Sequence, residues 1–319
     1  MSAEPSLSAS ELQRAYRAMS LARALDERMW RLARAGRAHF AVPCSGHEGV
    51  SVGYAMALQQ GVDFVAPHYR DLAALLVLGM QPRDVMLHFF SRVADPNAHG
   101  RQPYAHFGSQ ALRIMSLQGP QPNHASHGVG AAWGSRILRE PSVTVIAFGD
   151  GGAQKGEVHE CMNFASIHDL PCVFVIHRNG YTQSVRSTHE YRPQNLSLRG
   201  AAYGMPGVSV DAMDATKMYA AAKTAVDRAR AGAGPTLIDA VCYRFLPNTS
   251  NDDDTRYRSR EEVETGRARD PLAILRGYVD AAFAAEVDLA HAAAADEAAE
   301  WAEAHPPGDP TTVMNHVYA

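Results

Sequence analysis

The chain has 319 residues, 46% apolar and 20% charged, enough for a full core and incompatible with wholesale disorder. Thirty basic against 34 acidic residues leave a formal charge of −4, without the basic footprint of a nucleic-acid binder. No apolar run approaches a membrane span, the start MSAEPSLSASELQRAY is acidic where a secretion signal is basic and then apolar, and Cys44, Cys161, Cys172 and Cys242 form no CxxC pair. A cytoplasmic protein of enzyme size, with no membrane or nucleic-acid partner, is the expectation.

Ser8 and Glu11 form an S-x-x-E capping box, and Leu12, Tyr16, Met19, Leu25, Met29 and Leu32 recur at helical spacing, predicting a helix over 8–36. A second helix is predicted over 46–58, with Gly49, Gly53 and Ala57 at four-residue steps for tight packing. Pro82 and Asp84 mark a third helix start. Residues 94–122 are rich in Gly, Pro, His, Asn and Gln and long for a structureless connection, hence functional or mobile. Helical periodicity returns over 128–139. VTVIAF (143–148) and CVFVI (172–176) read as strands buried on both faces, with a helix over 156–168 between them, which makes a βαβ unit. Short strands at 208–210 and 236–241 flank a helix over 216–231, and an alanine-rich helical region runs from 271. The expected architecture is one α/β domain over 1–319, a parallel sheet flanked by helices, with helical ends (8–36 and 271–319).

The chemistry concentrates at strand ends. Gly149-Asp150-Gly151 follows VTVIAF directly, and Asn179-Gly180-Tyr181 closes the next strand twenty-nine residues after Asp150. In open parallel sheets, ligands sit at the carboxyl ends of strands. A carboxylate, an amide oxygen and a backbone carbonyl are hard ligands suited to Mg²⁺, which completes its shell with phosphate and water. A lone GDG is an ordinary turn; its pairing with Asn179 across a βαβ unit is more specific. His99, His106, His124 and His127 supply no HExxH, and zinc would need three or four converging ligands. Asp252, Asp253 and Asp254 beside Arg256 and Arg258 read as a self-paired surface loop, and Met19, Met29 and Met56 as core.

The segment GDGGAQKGEVHECMNFASIHDLPCVFVIHRNGY resembles the thiamine diphosphate motif of the α subunit of the 2-oxo acid dehydrogenase first component (E1), with branched-chain bacterial α subunits most similar. SGHEGVSVGYAMAL, VDFVAPHYRDLAALLVLGM, ADPNAHGRQ, LPNTSNDDDTRYRSREEV and RARDPLAILRGYV extend the resemblance over nearly the whole chain. It implies the thiamine-diphosphate-binding fold. It implies Mg²⁺ held by Asp150, Asn179 and the Tyr181 carbonyl, and cofactor contacts from Tyr69, Arg70, Gln121, Gly149, Gly151 and Gly152. It also implies a β subunit that completes an α2β2 heterotetramer, decarboxylation of a small 2-oxo acid, and transfer of the acyl unit to a lipoyl-bearing acyltransferase (E2). The chain departs from the family pattern at Asn248, where a catalytic loop histidine stands in relatives, and at Gln154-Lys155, Arg178, His68 and Ala212. Those departures open the alternative of a diverged, attenuated or non-catalytic member.

Overall fold

The computed structural model describes residues 5–117, 119–315 and 317. Helix α1 (Ala9–Arg34) starts at the reciprocal cap: Ser8 N–H donates to Glu11 Oε2 (2.8 Å), and Glu11 N–H donates to Ser8 Oγ (3.4 Å). Helix α2 (Glu48–Met56) is buried along its whole length. It is shorter at both ends than its pattern predicts, because residues 46 and 47 belong to the preceding loop. A Cβ on Gly49 would collide with the carbonyl of Ala212, and one on Gly53 with Met218, so the four-residue stripe of small side chains does serve close packing. Strand β1 (Phe64–Ala66), helix α3 (Leu72–Val77) and helix α4 (Pro82–Phe89) follow.

Residues 94–122 form no helix or strand among those described, yet Tyr104, Phe107 and Ile114 are buried there. Tyr104 packs edge-on against Phe89 and Phe107, so side chains order a segment whose backbone is irregular. Helix α5 (His124–Leu138) begins four residues earlier than periodicity indicates. Then come β2 (Thr144–Gly149), α6 (Gly156–Ile167), β3 (Cys172–Arg178) and a small hairpin, β4 (Tyr181–Thr182) with β5 (Val185–Arg186). Helix α7 (Arg199–Ala202), β6 (Gly207–Asp211), α8 (Ala215–Arg230), β7 (Thr236–Val241), α9 (Arg260–Arg267), α10 (Pro271–Arg276) and α11 (Ala281–Glu303) complete the order.

The sheet is parallel throughout, in the order β1-β2-β3-β7-β6. Strand side chains alternate between its faces. Val145, Ala147, Val173 and Val175 join a core built with α1, α2, α3, α8 and α11. Ile146, Phe148, Phe174 and Ile176 join the other, built with α5 and α6. Burial on both sides is why these strands read as unbroken apolar runs. The β2–α6–β3 unit puts the ends of two neighbouring strands, Gly149 and Arg178, on one edge of the sheet.

Candidate functional site

Beyond that edge lies a cavity of about 320 Å³ lined by Tyr69, Gln121, Gly149, Asp150, Gly151, Gly152, Asn179 and Tyr181, together with His68, Gly119, Pro120, Lys155, Thr182 and Gln183. Eight positions singled out from the sequence thus meet in one place. Asp150 is 1% exposed. Its Oδ2 accepts from Gly180 N–H (3.0 Å) and its Oδ1 from Gly151 N–H (3.1 Å). No cationic side chain pairs with it among the described residues. Burial, reinforced by Glu190, therefore pushes its carboxyl up to about 7 despite the two backbone donors. A divalent ion in the cavity would keep this group ionised. Asn179 sits opposite, its Oδ1 accepting from Tyr181 N–H (3.0 Å). Gly151 has a reason the sequence did not disclose: a Cβ there would strike the side chain of Thr182, whose hydroxyl donates to Glu190. An added Cβ on Gly152 would find nothing nearer than 3.6 Å, which leaves its backbone open to the cavity.

Arg70 does not line the cavity. It is 1% exposed, and its guanidinium lies 4.8 Å from the ring centroid of Tyr69. It donates to the Pro43 carbonyl (2.6 Å) and to Asn248 Oδ1 (2.7 Å). That same amide oxygen accepts from Arg244 (3.1 Å), also 1% exposed, which donates in addition to the Gln183 carbonyl and the Tyr257 hydroxyl. Two buried guanidinium groups thus share one neutral oxygen and no carboxylate. The Nε of each is buried without a hydrogen-bond partner. Burial, then the charge of Arg70, pushes Arg244 down to about 10. Uncompensated buried cations suit an anion. Arg244 was not singled out from the sequence, since nothing local to it signals a neighbour 174 residues away.

Two histidines were also missed, while His68 had been marked only as a departure from the family pattern. His47 and His177 are buried behind the cavity that His68 lines, with ring centroids 5.4 Å apart. Burial, then neighbouring positive charge, holds His47 and His68 well below the usual histidine range. His47, His177 and Cys242 are the one set among the described residues whose metal-type donor atoms converge, within 4.8 Å of one another. The histidines weighed from the sequence do not gather so: His124 Nε2 pairs with the Ala147 carbonyl (2.8 Å) and His106 Nδ1 with the Pro103 carbonyl (2.7 Å).

The departures from the family pattern also find places. Lys155 is exposed at the cavity, whereas Arg178 turns to the buried Asp239 (2.8 Å). Ala212 keeps a negative φ and needs no glycine. The acidic loop is only partly a solvated surface. Asp253 and Arg256 pair on the outside, but Asp252 accepts from Asn248 N–H (2.9 Å), and Asp254 holds the buried Arg258.

The sequence profile of the dehydrogenase E1 component family matches residues 16–310. The chain belongs to this family. A 2-oxoisovalerate dehydrogenase subunit alpha of Bacillus subtilis is 39% identical over 95% of this chain and 94% of its own length. A 3-methyl-2-oxobutanoate dehydrogenase subunit alpha of Mycobacterium tuberculosis is 38% identical over 83% of this chain and 69% of its own. A pyruvate dehydrogenase E1 component subunit alpha of Mycoplasma genitalium is 35% identical over 86% and 73%. The chain is an α-type E1 subunit of the 2-oxo acid dehydrogenases, an oxidoreductase family.

Proposed function

We propose that this chain, joined to a β subunit in an α2β2 heterotetramer, decarboxylates a branched-chain 2-oxo acid on thiamine diphosphate and Mg²⁺. The acyl group then passes to a lipoyl-bearing acyltransferase. One observation carries the reading: paired oxygen ligands, Asp150 and Asn179, share a cavity's surroundings with two buried arginines that lack an anion. The relatives named for 2-oxoisovalerate and 3-methyl-2-oxobutanoate support the branched-chain substrate. No described helix is long and apolar enough to cross a membrane.

Bound thiamine diphosphate supplies the carbon nucleophile and the electron sink for loss of carbon dioxide. This chain's residues do the holding. Arg70 and Arg244, on releasing Asn248, would donate charge-assisted hydrogen bonds to the diphosphate. Asp150, Asn179 and the Tyr181 carbonyl would hold Mg²⁺. Gly149, Gly151 and Gly152 keep the backbone approachable, and Tyr69 and Gln121 wall the cavity. Asn248 is the catalytic-loop position. Its amide donates and accepts but carries no proton charge near neutral pH, as a histidine would. That difference, with Lys155 at the cavity, favours a second reading: an attenuated or non-catalytic member that assembles with and regulates its partner.

Co-expression with a β subunit and a screen over branched-chain 2-oxo acids, pyruvate and acetoin tests the first reading. Mg²⁺-dependent turnover that Asp150→Ala abolishes supports it; turnover unchanged by that substitution refutes the ligand assignment. Activity at background in both the wild type and Asn248→His points to the regulatory reading.

A further inference from the structure

Beneath the metal position runs a chain of four buried polar side chains. Asp71, 0% exposed, accepts from Ser51 Oγ (2.8 Å) and from the His68 backbone N–H (2.7 Å), so it acts purely as an acceptor. His177 Nε2 lies 3.1 Å from Asp71 Oδ1, at ion-pair distance but without hydrogen-bond geometry. His177 Nδ1 lies 3.1 Å from His47 Nδ1. His47 Nε2 lies 3.4 Å from Asn179 Nδ2. Two ring nitrogens at hydrogen-bond distance share a single proton, so the chain has a direction, and the Asn179 end fixes it. There, Tyr181 N–H already occupies Asn179 Oδ1, so the amide presents its NH₂ group to His47. At the other end, the Asp71 carboxylate lies beside His177 Nε2 at ion-pair distance, which suits a proton there, a bare Nδ1 that accepts from His47 Nδ1–H, and a bare His47 Nε2. A bare Nε2 on His47 is what the Asn179 NH₂ group requires.

We propose that His47 and His177 are positioning residues for the metal site, with Asp71 as their anchor. By holding the Asn179 NH₂ they turn its oxygen toward the cation, and they rule out the reversed amide that would aim a donor at it. The proposal rests on the assignment of Asn179 as a Mg²⁺ ligand. It also accounts for the convergence of His47, His177 and Cys242 without a second metal: the contact between the rings is a shared proton, and Cys242 Sγ, 3.7 Å from His47 Nδ1, flanks it. Outer partners of this kind change metal affinity by about 10- to 100-fold when removed.

The test is a double-mutant cycle on the heterotetramer, read as the Mg²⁺ concentration that half-saturates thiamine diphosphate binding in calorimetry. His47→Leu should raise that concentration about tenfold or more, and His47→Gln, which can accept from Asn179 and donate to His177, should restore it. In an Asn179→Asp background, where either oxygen can face the cation, His47→Leu should change nothing further. An equal rise in both backgrounds would mean a merely structural role and overturn the proposal. Should His47→Leu fail to fold, ¹⁵N-histidine spectra of the full wild-type chain decide: His47 protonated on Nδ1 supports the chain, protonated on Nε2 overturns it. Stoichiometric zinc retained on the two histidines and Cys242 would also overturn it. A wild type with no metal-dependent binding at all removes the ligand assignment, whereas normal metal dependence unaffected by His47→Leu removes this inference alone.

Discussion

Two arginine sites among the described residues, one around Arg23 and one around Arg70 and Arg244, are built on opposite plans. Arg23 meets Glu48 (2.6 Å) and Asp270 (2.9 Å); burial alone would weaken its hold on its proton, but the two carboxylates more than reverse that. Arg70 and Arg244 have only the Asn248 amide and backbone or hydroxyl oxygens. The first cluster is electrically complete and joins α1, α2 and α10. The second is incomplete and borders a cavity. Buried arginine by itself says little about function; what decides is whether the protein supplies the opposite charge.

The comparison can be broken at several points. The largest effect is expected at the complete cluster: Glu48→Ala should cost about 3–5 kcal/mol of stability, read from urea denaturation, because it leaves the buried Gly46 N–H without its acceptor and removes a charge-assisted bond from Arg23. Arg70→Met should do the reverse. The ligand-free chain should melt no lower than the wild type, while affinity for inorganic diphosphate should fall by about 1.5–3 kcal/mol in calorimetry. A large loss of ligand-free stability there would erase the contrast between the clusters.

A third measurement concerns pH. The Asp150 carboxyl rises from 3.8 to about 7 in the metal-free fold, so its contribution favours the folded chain at low pH and is lost as pH climbs through that interval. A proton must leave before an ion binds. Apparent Mg²⁺ affinity should therefore increase about tenfold per pH unit below 7 and level off above it. A flat profile would mean the ion does not meet this carboxylate. The smallest effect belongs to Asn248→Ala, which removes the shared acceptor and should tighten inorganic diphosphate binding by about 1 kcal/mol.

Much of this was legible in the sequence. The strands ending at Gly149 and Arg178 announce themselves because both faces are covered, and the Asp150–Asn179 spacing follows from the unit that joins them. Strand β1 escaped notice because three residues, Phe64–Ala66, carry no periodicity. The link from Arg70 to Asn248 spans 178 residues, and that from His47 to His177 spans 130. No local pattern encodes such pairings; they exist only once the sheet order is set. Gly151 shows the converse, a residue whose type was plain but whose neighbour, Thr182, was not.

The amide of Asn248 has a consequence for any anion that arrives. Arg70 and Arg244 are already in use, so an incoming ligand enters a contest with an oxygen tethered to the same polypeptide. Winning it frees Asn248, whose N–H is bound to Asp252, which in turn accepts from Tyr257. Occupancy and the conformation of residues 248–257 are then two readings of a single equilibrium: whatever loosens that segment should favour the ligand, and whatever clamps it should drive the ligand out.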